Sequence, residues 1–263
     1  MRVLIVRNSD TAPEGAFGDW LARQGYTIQL VSGAALNEAA LARAGLVVLL
    51  GSPHGVYDTH IPWVAKQREL IAARLAKQAP TIGICFGAQM IAVAAGGDSA
   101  RMADGRFFRG WFGIEHRADD IFAGPWPRWH GDAITPPPGA EVLAMDAGTI
   151  QAFALPGAIA VQFHPEATPQ IMQDWAETFS PPGLVDSVAL AQDSARYFAP
   201  RTAAREALDH PCGRARLGVH AAHHAATEAA AQIGGLHLNR QTLVVARRHS
   251  VDLRRLQRCA AER

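Results

Sequence analysis

Cysteine is scarce in this chain, with three among 263 residues. So few, and an odd number, argue against a secreted scaffold held together by disulfides. Long apolar runs are lacking too. Stretches such as Gly45–Gly51 are strand-sized, far short of the ~20 residues that a bilayer-crossing helix needs. The opening Met1–Val6 is too short for a signal peptide and is followed by polar residues. There is no internal repeat, and no low-complexity linker before about residue 200. With 49% hydrophobic and 19% charged residues, the chain has the composition of a globular protein, and the expectation is a reduced, cytoplasmic one. At this length folding hides roughly 70–75% of the chain's surface, so a full core needs neither disulfide nor structural metal.

The small net charge conceals an asymmetry. Residues 1–199 carry 19 acidic and 14 basic side chains, whereas residues 200–263 carry 5 acidic side chains, 11 arginines and 6 of the 11 histidines. The two parts are therefore read separately.

In the first part, strand-like and helix-like segments alternate. Val3–Val6, Thr27–Val31, Leu46–Leu50 and Thr81–Ile84 are short apolar runs. Phe17–Gln24, Asn37–Arg43, Ile61–Lys77 and Phe86–Ala95 have helical spacing or small-residue helical character. Leu46–Leu50 is uninterrupted, as suits a parallel strand buried on both faces. This order predicts an open, mainly parallel sheet with helices on both sides and a ligand site beyond the carboxyl ends of the strands. From Phe107 to Phe163 shorter apolar stretches alternate with Pro- and Gly-rich turns, which reads as antiparallel strands and loops of the same domain. Thr168–Phe179, with Thr168 as N-cap and Pro169 at the first helical position, and Val185–Phe198 read as closing helices.

Gly83-Ile84-Cys85-Phe86-Gly87-Ala88-Gln89 stands where the fourth strand meets its helix. Small residues on both sides of a nucleophile permit a sharp turn beneath it, and a helix N-terminus favours an anion there. Taken alone, the segment reads first as a buried cysteine in a packing turn. His164-Pro165-Glu166 follows the strand Ile159–Phe163. Proline keeps His164 extended, so His164 and Glu166 project to one side. A histidine oriented by a carboxylate is the usual base for a thiol nucleophile, although a surface His-Pro-Glu turn is the plain alternative. The two motifs support each other, because both lie at strand ends of one α/β chain.

Together with Gln162-Phe163-His164-Pro165-Glu166, the Cys85 segment resembles the class I (triad) glutamine amidotransferases. Gly51-Ser52-Pro53-His54-Gly55-Val56-Tyr57-Asp58 is similar to that family's oxyanion loop, and Arg128-Trp129-His130-Gly131-Asp132 to the segment lining the glutamine pocket in the amidotransferase domain of GMP synthase. The likeness spans roughly residues 1–180 and is strongest to the free-standing GMP-synthase-like subgroup, which includes γ-glutamyl peptidases. It implies a flavodoxin-like three-layer α/β/α fold around a mainly parallel sheet. Cys85 is then the nucleophile, His164 the proton carrier and Glu166 its orienting partner. The backbone N–H groups of Ser52 and Phe86 form the oxyanion hole. Gly51, Gln89, His130, Gly131 and Asp132 surround the substrate. The implied reaction is hydrolysis of the glutamine side-chain amide through a glutamyl thioester, without metal or cofactor, with ammonia passed to a separate synthetase.

Two departures stand out. Ser52 occupies a position where much of the family has glycine. Phe108-Arg109-Gly110-Trp111 replaces the Glu-Ile-Gly-Trp of many relatives, exchanging a carboxylate for a cation. The alternative function is a γ-glutamyl peptidase acting on peptides or conjugates with the same triad. A third is a non-catalytic module of the same fold. The expected organisation is one domain over residues 1–198 and an Arg- and His-rich appendage over 199–263. In the appendage, His220, His223 and His224 lack a carboxylate or thiol at metal-ligand spacing. Arg247, Arg248, Arg254, Arg255 and Arg258 form a basic face, but no aromatic residue follows Phe198 for base stacking, which argues against nucleic acid. Cys212 and Cys259 have no catalytic context.

Overall fold

The computed structural model describes residues 1–118, 122 and 124–207, the last nine of these as backbone alone. The histidines, basic face and cysteines singled out between residues 208 and 263 lie outside the described residues.

Five parallel strands form the heart of the molecule: β1 (Arg2–Arg7), β2 (Thr27–Ser32), β3 (Leu46–Leu49), β4 (Thr81–Ile84) and β12 (Ala158–Val161). They lie in the order β2-β1-β3-β4-β12. The sheet continues antiparallel through β11 (Thr149–Leu155), β10 (Glu141–Asp146) and β7 (His116–Arg117). This parallel order is the flavodoxin-like one. The uninterrupted apolar strands explain the three layers, since alternate residues point to opposite faces. On β1, Val3 and Ile5 join a core with Phe17, Trp20 and Leu21 of α1 (Gly15–Arg23). Leu4 and Val6 join a second core with α2 (Glu38–Arg43), α3 (Pro62–Ala76) and α4 (Phe86–Ala94). A third cluster joins α5 (Pro169–Phe179) to α6 (Ser187–Ala207) through Trp175, Met172 and Leu190. Thr168 caps α5, its hydroxyl accepting from the Ile171 N–H at 3.2 Å.

Four strands, β7 and three members of two side ribbons, lie outside the apolar stretches read from the sequence. Two small antiparallel ribbons, β5 (Asp98–Arg101) with β9 (Asp132–Thr135) and β6 (Phe108–Phe112) with β8 (Trp126–His130), stand beside the main sheet. β8 contains Pro127, which reads as a turn residue in isolation. Proline is tolerated in so short a ribbon because it need only lie where no N–H is required. The Pro127 carbonyl instead accepts the His164 N–H at 2.8 Å, tying the ribbon to the end of the main sheet. Among the described residues no helix is long and apolar enough to cross a membrane.

Candidate active site

The turn from β4 into α4 holds Cys85 at φ 52° and ψ −108°, a left-handed conformation that non-glycine residues rarely adopt. Its neighbours make the strain possible. A Cβ at Gly83 would lie 2.5 Å from the Gly87 carbonyl oxygen, and one at Gly87 would lie 2.1 Å from that of Leu49. Both glycines therefore permit close backbone approach. The Cys85 N–H donates to the Val161 carbonyl at 2.9 Å, anchoring the turn to β12. Phe86 opens α4, so its N–H has no helical carbonyl four residues before it to bind.

β12 brings up the second half of the site. His164 Nδ1 lies 2.7 Å from Glu166 Oε1, with both side chains buried. Burial opposes a charge on His164, but Glu166 and the neighbouring Cys85 sulfur outweigh it and push the imidazole pKa up to about 10. The three side chains lie at strand ends, and Cys85, His164 and Glu166 are all buried. Three packing elements cover them. Trp175 of α5 sets its ring against His164 at 4.6 Å, edge to face, and donates its indole N–H to the Thr11 carbonyl at 2.6 Å. The start of α1 closes on the Glu166 backbone, whose carbonyl accepts from the Ala16 N–H at 2.9 Å. The root of the 51–58 loop closes the third side: a Cβ on Gly51 would stand 3.2 Å from His164 Cε1 and 3.9 Å from Cys85 Cβ.

The structure brings Gln89 to the same place. Buried on α4, it donates Nε2–H to Gln162 Oε1 at 3.3 Å, and Gln162 donates in turn to the Cys85 sulfur at 3.5 Å. Gln162 and Trp175 were not among the predicted site residues. Gln162 carried a signal, because it lies two residues before His164 in an extended segment and thus on the same side. Trp175 carried none, being distant in sequence.

The remaining candidates lie around this centre. Ser52 follows Gly51, and its hydroxyl accepts from the His54 N–H at 3.1 Å. His130, at the end of β8, is buried against Phe108, with Nδ1 3.0 Å from the Asp132 carbonyl oxygen. Burial and repulsion from Arg128 and His164 push its pKa down to about 3 despite that backbone contact, so the ring is neutral. Gly131 lies under the Phe107 ring, which a Cβ there would meet at 2.7 Å. The Asp132 carboxylate accepts from the Tyr57 hydroxyl at 3.3 Å, linking the 51–58 loop to β9. Arg109 stacks its guanidinium on Phe107 at 3.9 Å. Among the described residues no group of three or more His, Cys, Asp or Glu side chains is arranged to hold a metal ion.

A parallel sheet with a strained cysteine elbow after β4, and a buried histidine–carboxylate pair after β12, defines an α/β protein with a Cys–His–Glu centre. Comparison with known proteins supplies the family. The model of the family described as Glutamine amidotransferase class-I matches residues 19–179, and the chain belongs to that family. It is 33% identical over 160 residues to GMP synthase [glutamine-hydrolyzing] of Thermus thermophilus, covering 56% of this chain and 30% of that protein. It is 34% identical over 140 residues to the carbamoyl phosphate synthase small chain of Xanthomonas campestris pv. campestris, covering 46% of this chain and 35% of that one. The chain thus spans about a third of the length of these relatives. The crystal structure of a glutamine amidotransferase from Thermotoga maritima superposes with a TM-score of 0.67 at 27% identity, covering 74% of this chain and 90% of that one.

Proposed function

We propose that this protein hydrolyses the side-chain amide of glutamine, with Cys85, His164 and Glu166 as the catalytic groups. The Cys85 sulfur attacks the amide carbon, and the carbonyl π electrons move onto oxygen. The Ser52 and Phe86 N–H groups stabilise that oxyanion, a contribution of about 3–4 kcal/mol per donor in comparable sites. The intermediate collapses as the carbon–nitrogen bond breaks, and the His164 imidazolium gives its proton to the departing nitrogen, releasing ammonia. Water then gives a proton to His164 and attacks the thioester carbon. The carbon–sulfur bond breaks and glutamate leaves. Every group in these steps comes from the chain or from water. The observation that carries the reading is the 2.7 Å His164–Glu166 contact beside a cysteine held at φ 52°.

Gly51, Gln89 and the His130–Asp132 segment surround the substrate in this reading, with the Asp132 carboxylate suited to an α-ammonium group. The named relatives are a glutamine-hydrolysing GMP synthase and a carbamoyl phosphate synthase small chain, which supports ammonia transfer to a synthetase partner.

The test is a comparison of glutamine with γ-glutamyl dipeptides on purified protein, with Cys85→Ala as the blank. Glutamate release from glutamine is expected, with the blank lower by at least ~10⁴-fold. A strong preference for dipeptides moves the assignment to a γ-glutamyl peptidase. Absence of any Cys85 adduct with a glutamine-derived chloroketone, in folded protein, moves it to a non-catalytic module.

A further inference from the structure

Behind the root of the 51–58 loop lies a buried polar relay that none of the steps above uses. Asn8, just past β1, donates its Nδ2–H to the Leu50 carbonyl at 2.9 Å. Gln67 of α3 donates its Nε2–H to Asn8 Oδ1, also at 2.9 Å. Both side chains are buried. Gly33 leaves the space they need, since a Cβ there would lie 2.5 Å from Asn8 Oδ1.

The relay grips one particular peptide. The Leu50 N–H donates to the Val6 carbonyl at 3.1 Å, extending the β1–β3 ladder by one bond. The Leu50 carbonyl has passed the end of that ladder and is held by Asn8. Because the peptide unit is planar, fixing this carbonyl fixes the plane entering Gly51. Between that plane and the Ser52 N–H stand only the two dihedrals of Gly51, a residue with wide conformational freedom. Gly51 itself is packed against His164 and Cys85. The direction of the Ser52 N–H is therefore set by the Leu50 carbonyl anchor on one side and the catalytic pair on the other.

We infer that Asn8, braced by Gln67, is a positioning residue for the oxyanion hole: it holds the Leu50–Gly51 peptide so that the Ser52 N–H meets the oxygen of the tetrahedral intermediate. The inference rests on the proposed role of Ser52. A purely structural role predicts lost stability alone, whereas a positioning role predicts loss in the step that develops negative charge.

The test uses the full chain with Asn8→Ala and Asn8→Asp. The aspartate keeps the shape and the acceptor for Gln67 but turns the donor into an acceptor facing the Leu50 carbonyl. For both variants kcat is expected to fall about 10–100-fold, with KM for glutamine within about threefold. Affinity for glutamate γ-semialdehyde, which adds the Cys85 sulfur to its carbonyl and takes up a proton to give a thiohemiacetal, should fall in parallel. Alkylation of Cys85 by iodoacetamide displaces iodide without forming an oxyanion and should stay within about twofold of the parent. Relative to the parent, Asn8→Asp should recover as pH falls, because a protonated carboxyl can donate to Leu50 again. If the Asn8 variants do not fold, Gln67→Met keeps Asn8 but removes its brace, and about 3–10-fold lower kcat with the same aldehyde dependence is expected. Unchanged kcat and aldehyde affinity in folded variants overturn the inference, as does an equal loss of alkylation and turnover. If the parent protein hydrolyses neither glutamine nor γ-glutamyl dipeptides, the reading of the site fails first and the inference falls with it.

Discussion

Two buried histidines stand near one another and are held in opposite protonation states. His164 and His130 are both shut away from solvent, and burial alone drives both toward the neutral form. The difference is what each Nδ1 faces. At His164 it is a carboxylate, Glu166, and with the Cys85 sulfur on the other side the imidazole pKa rises to about 10. At His130 it is the Asp132 carbonyl, and the nearby charges, Arg128 and His164, are both positive, so the pKa falls to about 3. One environment thus favours the charged imidazolium, while the other favours the neutral ring. A histidine's neighbours, more than its depth, decide which it becomes.

Removing the charge that separates the two environments has the largest expected effect. Glu166→Gln keeps the shape but takes away the negative charge and the preference for one tautomer of His164. We expect kcat to fall about 10³–10⁴-fold, and His164, followed by NMR, to titrate well below its parent value. A variant that keeps more than a tenth of parent kcat shows that Glu166 does not orient the catalytic base.

The ribbon region has its own ion pair. Arg128, fully buried, donates to Asp146 Oδ2 at 2.6 Å and to the Gly113 carbonyl at 2.5 Å. Asp146→Ala strands that guanidinium, and breaking such a pair costs about 3–5 kcal/mol. Denaturant unfolding should show the loss, while iodoacetamide labels Cys85 at the parent rate in the still-folded fraction. Slower labelling would mean that the ribbon shapes the catalytic centre more than the comparison implies.

How far this division was legible in the sequence follows from the range of the interactions. Alternation of strand and helix from Val3 to Ala94, the cysteine elbow and the His164-Pro165-Glu166 turn are local patterns, and the structure places them within a residue or two of expectation. β5, β7, β8 and β9 were not legible. Asp98–Arg101 has no apolar alternation, and Pro127 masks β8, whose pairing with β6 comes from tertiary contact. Trp175 reaches His164 from a helix that begins after the motif, and the Asn8–Gln67 bond joins residues 59 apart. The covers of the triad were not legible for the same reason, since they come from α1, α5 and the 51–58 loop.

Opposite protonation states also give opposite pH dependence of stability. The His164 pKa is raised from 6.5 to about 10, so its contribution is fully present below pH 6.5 and is lost as pH rises through about 10. The His130 pKa is lowered from 6.5 to about 3, so its contribution is present above pH 6.5 and is lost as pH falls through about 3. Urea unfolding across pH should therefore show an alkaline limb that flattens in Glu166→Gln and an acid limb that flattens in His130→Leu. If His130→Leu instead flattens the alkaline limb, the two environments have been assigned the wrong way round.

The smallest expected effect concerns the contact that joins the two regions. The Tyr57 hydroxyl reaches the Asp132 carboxylate oxygens at 3.3 and 3.5 Å, both long for an O–H donor, from an exposed position on the 51–58 loop. The loop has other restraints. Asp58 Oδ2 accepts the Gly55 N–H at 2.8 Å, and the Leu50 carbonyl is held by Asn8 at 2.9 Å. Desolvation, followed by the charge of Asp132, raises the Tyr57 pKa, so the phenol stays protonated at neutral pH and remains a donor. Losing one exposed, long hydrogen bond costs on the order of 0.5–1.5 kcal/mol at most. Tyr57→Phe should therefore shift KM for glutamine by no more than about tenfold, because it frees a carboxylate that the proposed function places at the substrate's amino-acid end, and should leave kcat within about twofold. NMR titration of His164 and His130 should be unchanged. A fall in kcat with KM unchanged would show that the loop is positioned from its far end, through Asp132, and that the two histidine environments are mechanically one.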